Sequence, residues 1–157
     1  MTSIIILTIG IPGSGKTTWC KQYQKEHPYV YYVSTDEIRK EMRGTDEFNP
    51  QENELIHMEA VKRVGDIIKD KSNYGGNKGM GPVILVDSTN TKIEEWIVYR
   101  NLEPTIMIAK VFDIPPEQSL EYQRYRERKV PFDKLQYYWG NIQKYKSCLR
   151  AFFNMIL

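Results

Sequence analysis

Cysteine is nearly absent from these 157 residues: Cys20 and Cys148 are the only two. They show no metal-ligand spacing, and a disulfide framework needs more of them, so a reducing cytoplasm is the expected setting. Histidine is as scarce. Neither His27 nor His57 has a partner in the sequence that would make it a base, and both are expected at the surface. Long apolar runs are missing too. The longest near the N-terminus, Ile4–Ile9 (IIILTI), is far too short to span a bilayer, and no membrane association is expected. No basic leader precedes it and no small-residue cleavage pattern follows, so no signal peptide is expected. There is no internal repeat and no long linker. What is present suits one packed domain over residues 1–157: 41% hydrophobic residues and 27% charged ones, a balance that excludes disorder.

Net charge is only +2 but unevenly spread. Residues 121–150 hold eight Lys/Arg against Glu121, Glu127 and Asp133, so the rest of the chain is mildly acidic. A basic C-terminal third can face the phosphates of a nucleotide or a nucleic acid, or can simply be a solvated helix face. Residues 36–59 carry eight Asp/Glu against three Lys/Arg, read as a solvated surface away from nucleic acid.

Patterning predicts alternating strands and helices. Ser3–Ile9 is apolar at consecutive positions, as in a strand buried on both faces of a parallel sheet. A helix follows from about Lys16 to Lys25. Tyr29–Ser34 reads as a second strand with at least one of Tyr31 and Tyr32 buried. Ser34 or Thr35 is the expected cap of a helix over Asp36–Arg43. After a polar break at Gly44–Pro50, Gln51–Lys71 is predicted helical, with Leu55, Met58, Val61, Val64 and Ile68 inward. Asn73–Pro82 reads as a glycine-rich loop and Val83–Val86 as a buried strand. Thr91–Leu102 is a helix with Ile93, Trp96 and Ile97 inward, and Thr105–Phe112 a fourth strand. Helices over Pro115–Arg126 and Pro131–Ala151 flank a basic turn. Trp19, Trp96 and Trp139 are expected in cores or helix packing. The whole predicts a three-layer α/β domain with a mostly parallel central sheet flanked by helices. Ligands of such sheets collect at the carboxyl edge, where the first three strands deliver Gly10–Thr17, Thr35–Asp36 and Asp87–Asn90.

Gly10-Ile11-Pro12-Gly13-Ser14-Gly15-Lys16-Thr17 fits GxxxxGK[ST] between a predicted strand and a predicted helix. Glycines let the backbone N–H groups turn onto phosphate oxygens, and the helix N-terminus adds its positive dipole end, with Thr18 offering a further N–H. Lys16 can reach the β- and γ-phosphates of ATP, and the Thr17 hydroxyl can ligate Mg²⁺. Asp36, just past the second strand, would point into the same crevice as the γ-phosphate, where a carboxylate can take or orient the proton of an acceptor hydroxyl. Glu37 is the rival base. Arg39, three residues on, shares a helix face with Asp36 and can grip an anionic acceptor. The alternative is a capping Asp36 with a surface ion pair to Arg39. Val83–Asp87 has the form of a Walker B strand, with Asp87 a Mg²⁺ ligand directly or through water. Ser88, Thr89 and Asn90 can position the acceptor or cap the next helix. In the turn Arg124–Pro131, a basic lid would neutralise the transferring group, with Arg126 and Arg124 favoured over Arg128.

Taken together, Ile5–Trp19, Asp36, Arg39, Thr89-Asn90, Lys110–Pro115 and Arg124–Pro131 resemble the kinase domain of phage polynucleotide 5′-kinases, the type fused to a 3′-phosphatase in T-even phages. The resemblance runs through almost the whole chain. It implies the P-loop kinase fold with a C-terminal helical arginine lid, ATP and Mg²⁺ as cofactors, and a role in nucleic acid repair in the cytoplasm of a host cell. It makes Asp36 the general base, Arg39 the holder of the acceptor phosphate, and Arg124 or Arg126 the lid arginine. Asp87 stands one residue earlier than the family's Asp-Thr pair, which leaves its role open against Ser88. The D-x-D-G-T motif of the phosphatase half is absent, so 3′-phosphatase activity is not expected. The expected activity is transfer of the γ-phosphate of ATP to the 5′-hydroxyl end of DNA or RNA. The alternatives are another hydroxyl acceptor (a hydroxymethyl pyrimidine in DNA, a nucleoside or nucleotide, a small metabolite) and a non-catalytic ATP-binding module. Oligomeric state cannot be read from the sequence.

Overall fold

The computed structural model describes residues 2–44, 49–74, 80–102, 105–126 and 129–157. The expectations for Arg128 and for parts of the 44–50 and 73–82 loops lie outside them. Five strands form one parallel sheet: β1 (Thr2–Gly10), β2 (Tyr31–Ser34), β3 (Met80–Asp87), β4 (Thr105–Phe112) and β5 (Met155–Ile156), in the order β2-β3-β1-β4-β5. The helices are α1 (Lys16–Glu26), α2 (Thr35–Arg43), α3 (Pro50–Lys69), α4 (Ile93–Arg100), α5 (Pro116–Tyr122), α6 (Phe132–Tyr145) and α7 (Leu149–Phe152). This is the three-layer α/β architecture expected. Among the described residues no helix is long and apolar enough to cross a membrane.

β1 is central, in register with β3 on one side (Ile5↔Ile84) and β4 on the other (Ile5↔Met107). Its alternating side chains enter different layers. Ile5, Leu7 and Ile9 join the larger core with Val64 of α3, Trp96 of α4 and Leu135 of α6. Ile6 joins a smaller one with Cys20 of α1 and Leu85. Both Val86 and Ser88 offer carbonyls to the buried Thr8 hydroxyl, at 3.2 and 2.8 Å. That ties the end of β3 to β1 just below the carboxyl edge.

Several boundaries and faces differ from expectation. Leu55 and Met58 are exposed, and the inward row of α3 is Ile56, Ala60, Val64 and Ile68, spaced by four. Ile97 is exposed and Tyr99 takes its place beside Trp96. β3 begins at Met80, within the expected loop, and α3 gives way to a 3-10 turn at Lys71–Tyr74. α5 stops at Tyr122, short of the Arg126 end expected for it, so Arg124 and Arg126 stand in the turn that follows. The last expected helix is α6, a 3-10 turn and α7, followed by the unforeseen β5. Asn154 anchors that strand: its N–H donates to the Met107 carbonyl at 2.8 Å and its Oδ1 accepts from the Met107 N–H at 2.9 Å.

Candidate active site

A crevice of about 1020 Å³ opens at the carboxyl edge of the sheet. Its near wall is the loop between β1 and α1. Gly13 and Gly15 hold φ of 76° and 94°, which is open to glycine and strained for other residues. A Cβ on Gly13 would lie 2.8 Å from both Ser119 Oγ and Gln123 Cγ, so the loop is packed closely against α5 and the turn after it. The Ser119 hydroxyl donates to the Pro12 carbonyl. Gly10 and Ser14 shape the loop from behind: both are buried, and the Gly10 N–H donates to the Thr89 carbonyl at 3.0 Å. Pro12, Gly13, Gly15, Lys16, Thr17 and Thr18 line the crevice.

Lys16 lies along this loop, its ammonium donating to the Ile11 carbonyl at 2.7 Å. Burial lowers its pKa to about 8, against the opposing pull of Asp87 and Asp36. The Thr17 hydroxyl donates to Asp87 Oδ2 at 2.7 Å, and the Tyr32 hydroxyl donates to the same oxygen at 2.5 Å. β3 thus delivers its terminal carboxylate to the first turn of α1. A hydroxyl and a carboxylate oxygen side by side at a phosphate loop form a hard-oxygen donor pair suited to Mg²⁺, which takes one or two protein oxygens plus phosphate and water.

α2 forms the next wall. Ser34, not Asp36, caps it, its Oγ accepting from the Glu37 N–H at 3.3 Å. Asp36 is thereby left on the crevice side, and its Oδ1 accepts from Arg39 Nη1 at 2.6 Å. Arg39 is only 5% exposed. Its ion pair joins a buried guanidinium to a half-exposed carboxylate, and both residues line the crevice. Glu37 is exposed and is not among the residues lining the crevice.

Some expected residues stand elsewhere. Asn90 does not reach the crevice: fully buried with φ of 45°, it donates to the Thr8 carbonyl at 2.9 Å, and its own carbonyl accepts from Trp96 Nε1 at 2.5 Å. It holds the β3 edge against β1 and α4. Thr89 and Ser88 do line the crevice. Of the two candidate lid arginines, Arg126 lines it and acts on Lys16, whereas Arg124 is turned to solvent, 3.4 Å from Glu121 and over the Tyr125 ring. The buried Gln123 braces the lid, accepting from the Val130 N–H at 2.9 Å. The remaining basic residues described in the C-terminal third, such as Lys129, Lys144 and Arg150, are solvated.

Four elements add residues that sequence reasoning passed over: Trp19, Asn53, His57, Lys92, Glu95 and Tyr138 all line the crevice. His57 is not a surface residue. Its ring lies 3.5 Å from Glu95, and burial lowers its pKa to about 4. The acidic stretch that contains it is a crevice wall on one side. The available signal was the spacing of Asn53 and His57, four apart on one face of a helix that follows Arg39.

The chain matches the AAA domain family AAA_33 over residues 5–144. Heterogeneous nuclear ribonucleoprotein U-like protein 2 of Homo sapiens is 31% identical over 79 residues, which are 46% of this chain and 11% of that protein. The fold is similar to a chain of the Pnkp1/Rnl/Hen1 RNA repair complex, with a TM-score of 0.73 and 21% identity over 94% of this chain and 46% of that one. It is similar as well to a gluconokinase from Sinorhizobium meliloti 1021 (TM-score 0.59, 14% identity, 99% of this chain and 80% of that one). A shikimate kinase from Acinetobacter baumannii gives a TM-score of 0.57 at 12% identity, over 100% and 83%. This chain therefore spans less than half the length of the repair-complex chain and a small part of the human relative. Because the family match runs from β1 into α6, through the elements that wall the crevice, the chain belongs to the AAA domain family AAA_33, and its fold is that of the P-loop kinases.

Proposed function

We propose that this chain is an ATP-dependent kinase that passes the γ-phosphate to the 5′-hydroxyl of a polynucleotide. The observation that carries the reading is the Asp36–Arg39 pair, with its arginine buried, in the same crevice as Lys16. A carboxylate and an arginine side by side suit a hydroxyl with a phosphate next to it, which is what a 5′ end presents. The resemblance of the sequence to polynucleotide 5′-kinases, and a fold shared with a chain of an RNA repair complex, support the choice of acceptor.

In this mechanism Gly13, Gly15 and Thr18 hold the donor phosphates through backbone N–H groups, and Lys16 exchanges its Ile11 carbonyl for phosphate oxygens. Thr17 and Asp87 would hold Mg²⁺, which supplies charge neutralisation on the phosphates. Arg39 binds the phosphate adjoining the acceptor hydroxyl. Asp36 accepts the hydroxyl proton as the oxygen–phosphorus bond forms and the bond to the ADP leaving oxygen breaks. Arg126 offsets the charge on the transferring group from the lid side. Asp36 keeps its place through Ser34, which caps the helix and leaves the aspartate to the crevice.

Incubation with γ-labelled ATP and a 5′-hydroxyl oligonucleotide should yield a labelled oligonucleotide. Asp36→Asn should lower kcat by about 10²–10⁴-fold, the usual weight of a general base, with the Kd for ATP little changed. Labelling of a free nucleotide or a small metabolite, with none of the oligonucleotide, would overturn the choice of acceptor. ATP binding with no labelled product would reduce the chain to a binding module.

A further inference from the structure

Beyond Arg39 the crevice continues into a second wall that phosphoryl transfer does not use. Asn53 and His57 come from α3, Lys92 and Glu95 from the start of α4, and Tyr137 and Tyr138 from α6. Asn53 Oδ1 lies 3.5 Å from Arg39 Nη2, so the wall begins where the arginine ends. His57 Nε2 and Glu95 Oε2 are 3.5 Å apart, with side chains only 21% and 19% exposed. Lys92 Nζ sits 5.2 Å above the Tyr137 ring, whose centroid is 5.6 Å from that of Tyr138.

Placing an imidazole and a carboxyl in a mostly desolvated wall is costly unless hydrogen bonds compensate. Burial raises the Glu95 carboxyl to about 7 and lowers His57 to about 4. Near neutral pH the imidazole is therefore uncharged and the carboxyl is poised to donate or to accept. A purely structural wall would be served by apolar side chains. A neutral imidazole and a carboxyl able to donate or accept, 3.5 Å apart in a cleft beside aromatic rings, match a planar heterocycle with a polar edge. They match a sugar acid or a second phosphate poorly, because a carboxyl lines the crevice here and the local ammonium, Lys92, lies over Tyr137.

We propose that this second wall is a nucleobase subsite for the 5′-terminal nucleotide of the acceptor, with His57 and Glu95 on the base edge, Tyr137 and Tyr138 giving aromatic surface, and Glu95 setting base preference. The proposal rests on the polynucleotide reading above and adds to it the part of the acceptor that is read.

The test uses five 5′-hydroxyl oligonucleotides that differ only in their first residue: the four bases and an abasic residue. For the wild-type chain, KM for the abasic acceptor should be roughly tenfold higher than for the best base, the scale of one base contact, with kcat nearly constant. Glu95→Gln should reorder or level the four bases severalfold while leaving KM for the abasic acceptor and for ATP unchanged. His57→Gln, a second variant, should alter the ranking as well. Equal KM for abasic and base-bearing acceptors overturns the subsite and leaves the kinase reading standing. A common change in all five KM values on Glu95→Gln does the same, since it marks a structural residue. If no oligonucleotide is phosphorylated, the polynucleotide reading falls and the subsite falls with it.

Discussion

A half-buried imidazole and a half-buried carboxyl answer pH in opposite senses, and here they stand 3.5 Å apart. The folded pKa of His57, about 4, is below its ordinary 6.5, so between these values the folded chain binds fewer protons than the unfolded one and stability rises with pH. That of Glu95, about 7, is above its ordinary 4.5, so across this window the folded chain binds more protons and stability falls with pH. The groups that act on the pair are Lys92 just before α4, Glu94 of α4 and Arg39 of α2, and the hydroxyls of Tyr99, Tyr137 and Tyr138 feel the Glu95 charge. Between pH 4.5 and 6.5 the two effects oppose each other in the wild-type chain. Urea unfolding from pH 4 to 7 should therefore show a rising stability for Glu95→Gln and a falling one for His57→Gln, each slope at most about 1.4 kcal/mol per pH unit. Neither residue stood out in the sequence, because their meeting depends on how α3 packs beside α4. Lys16, Thr17, Asp36 and Arg39 were legible because each owes its place to a local device: a glycine loop, a helix start, a spacing of three. Asn90 misled for the same reason. Its polar side chain follows a strand-end acid, yet burial turns it inward onto Thr8.

At the scale of elements, α3 shows how a correct helix can carry a wrong face. Spacing by threes and fours from Leu55 fits as well as spacing by four from Ile56, and only the sheet below decides between them. Ile56→Ala should cost about 2–5 kcal/mol, as core truncations do. Leu55→Ala, on an exposed residue, should stay within about 0.5 kcal/mol. Thermal or urea melts of the two variants give the register of the helix directly. The strands were legible from runs such as Ile4–Ile9 and Val83–Val86, since burial on both faces leaves no alternation to misread. β5 was not legible: two residues carry no period, and their place depends on Asn154 gripping Met107 from across the sheet edge.

For the molecule as a whole, strand order was the part hidden from the sequence. Alternating strands and helices imply a parallel sheet, but only long-range pairing puts β1 between β3 and β4 and so sets the phosphate loop between the Asp87 edge and α5. The loop, the Walker-type acid and α5 are tied by hydrogen bonds from Thr17 to Asp87 and from Ser119 to Pro12, so a nucleotide held there would secure three distant segments at once. Binding to the folded chain alone should stabilise it by about 2.7 kcal/mol at a hundredfold excess of ligand over Kd. MgADP should raise the unfolding midpoint on this scale in wild type and in Asp36→Asn alike, as followed by circular dichroism, while Lys16→Ala should show far less.

The aromatic residues give the fold an optical property. Trp96 is sealed in the larger core with Phe153 packed edge-on against it. Trp19 instead lines the crevice, one turn along the helix that begins at the phosphate loop, with the Lys110 ammonium 5.4 Å from its ring. Emission from an indole so placed should shift or be quenched when a nucleotide enters the crevice, over the constant signal of the core Trp96. The chain thus carries its own fluorophore at the crevice, and a titration with MgADP read by emission would test binding there without a label and without turnover.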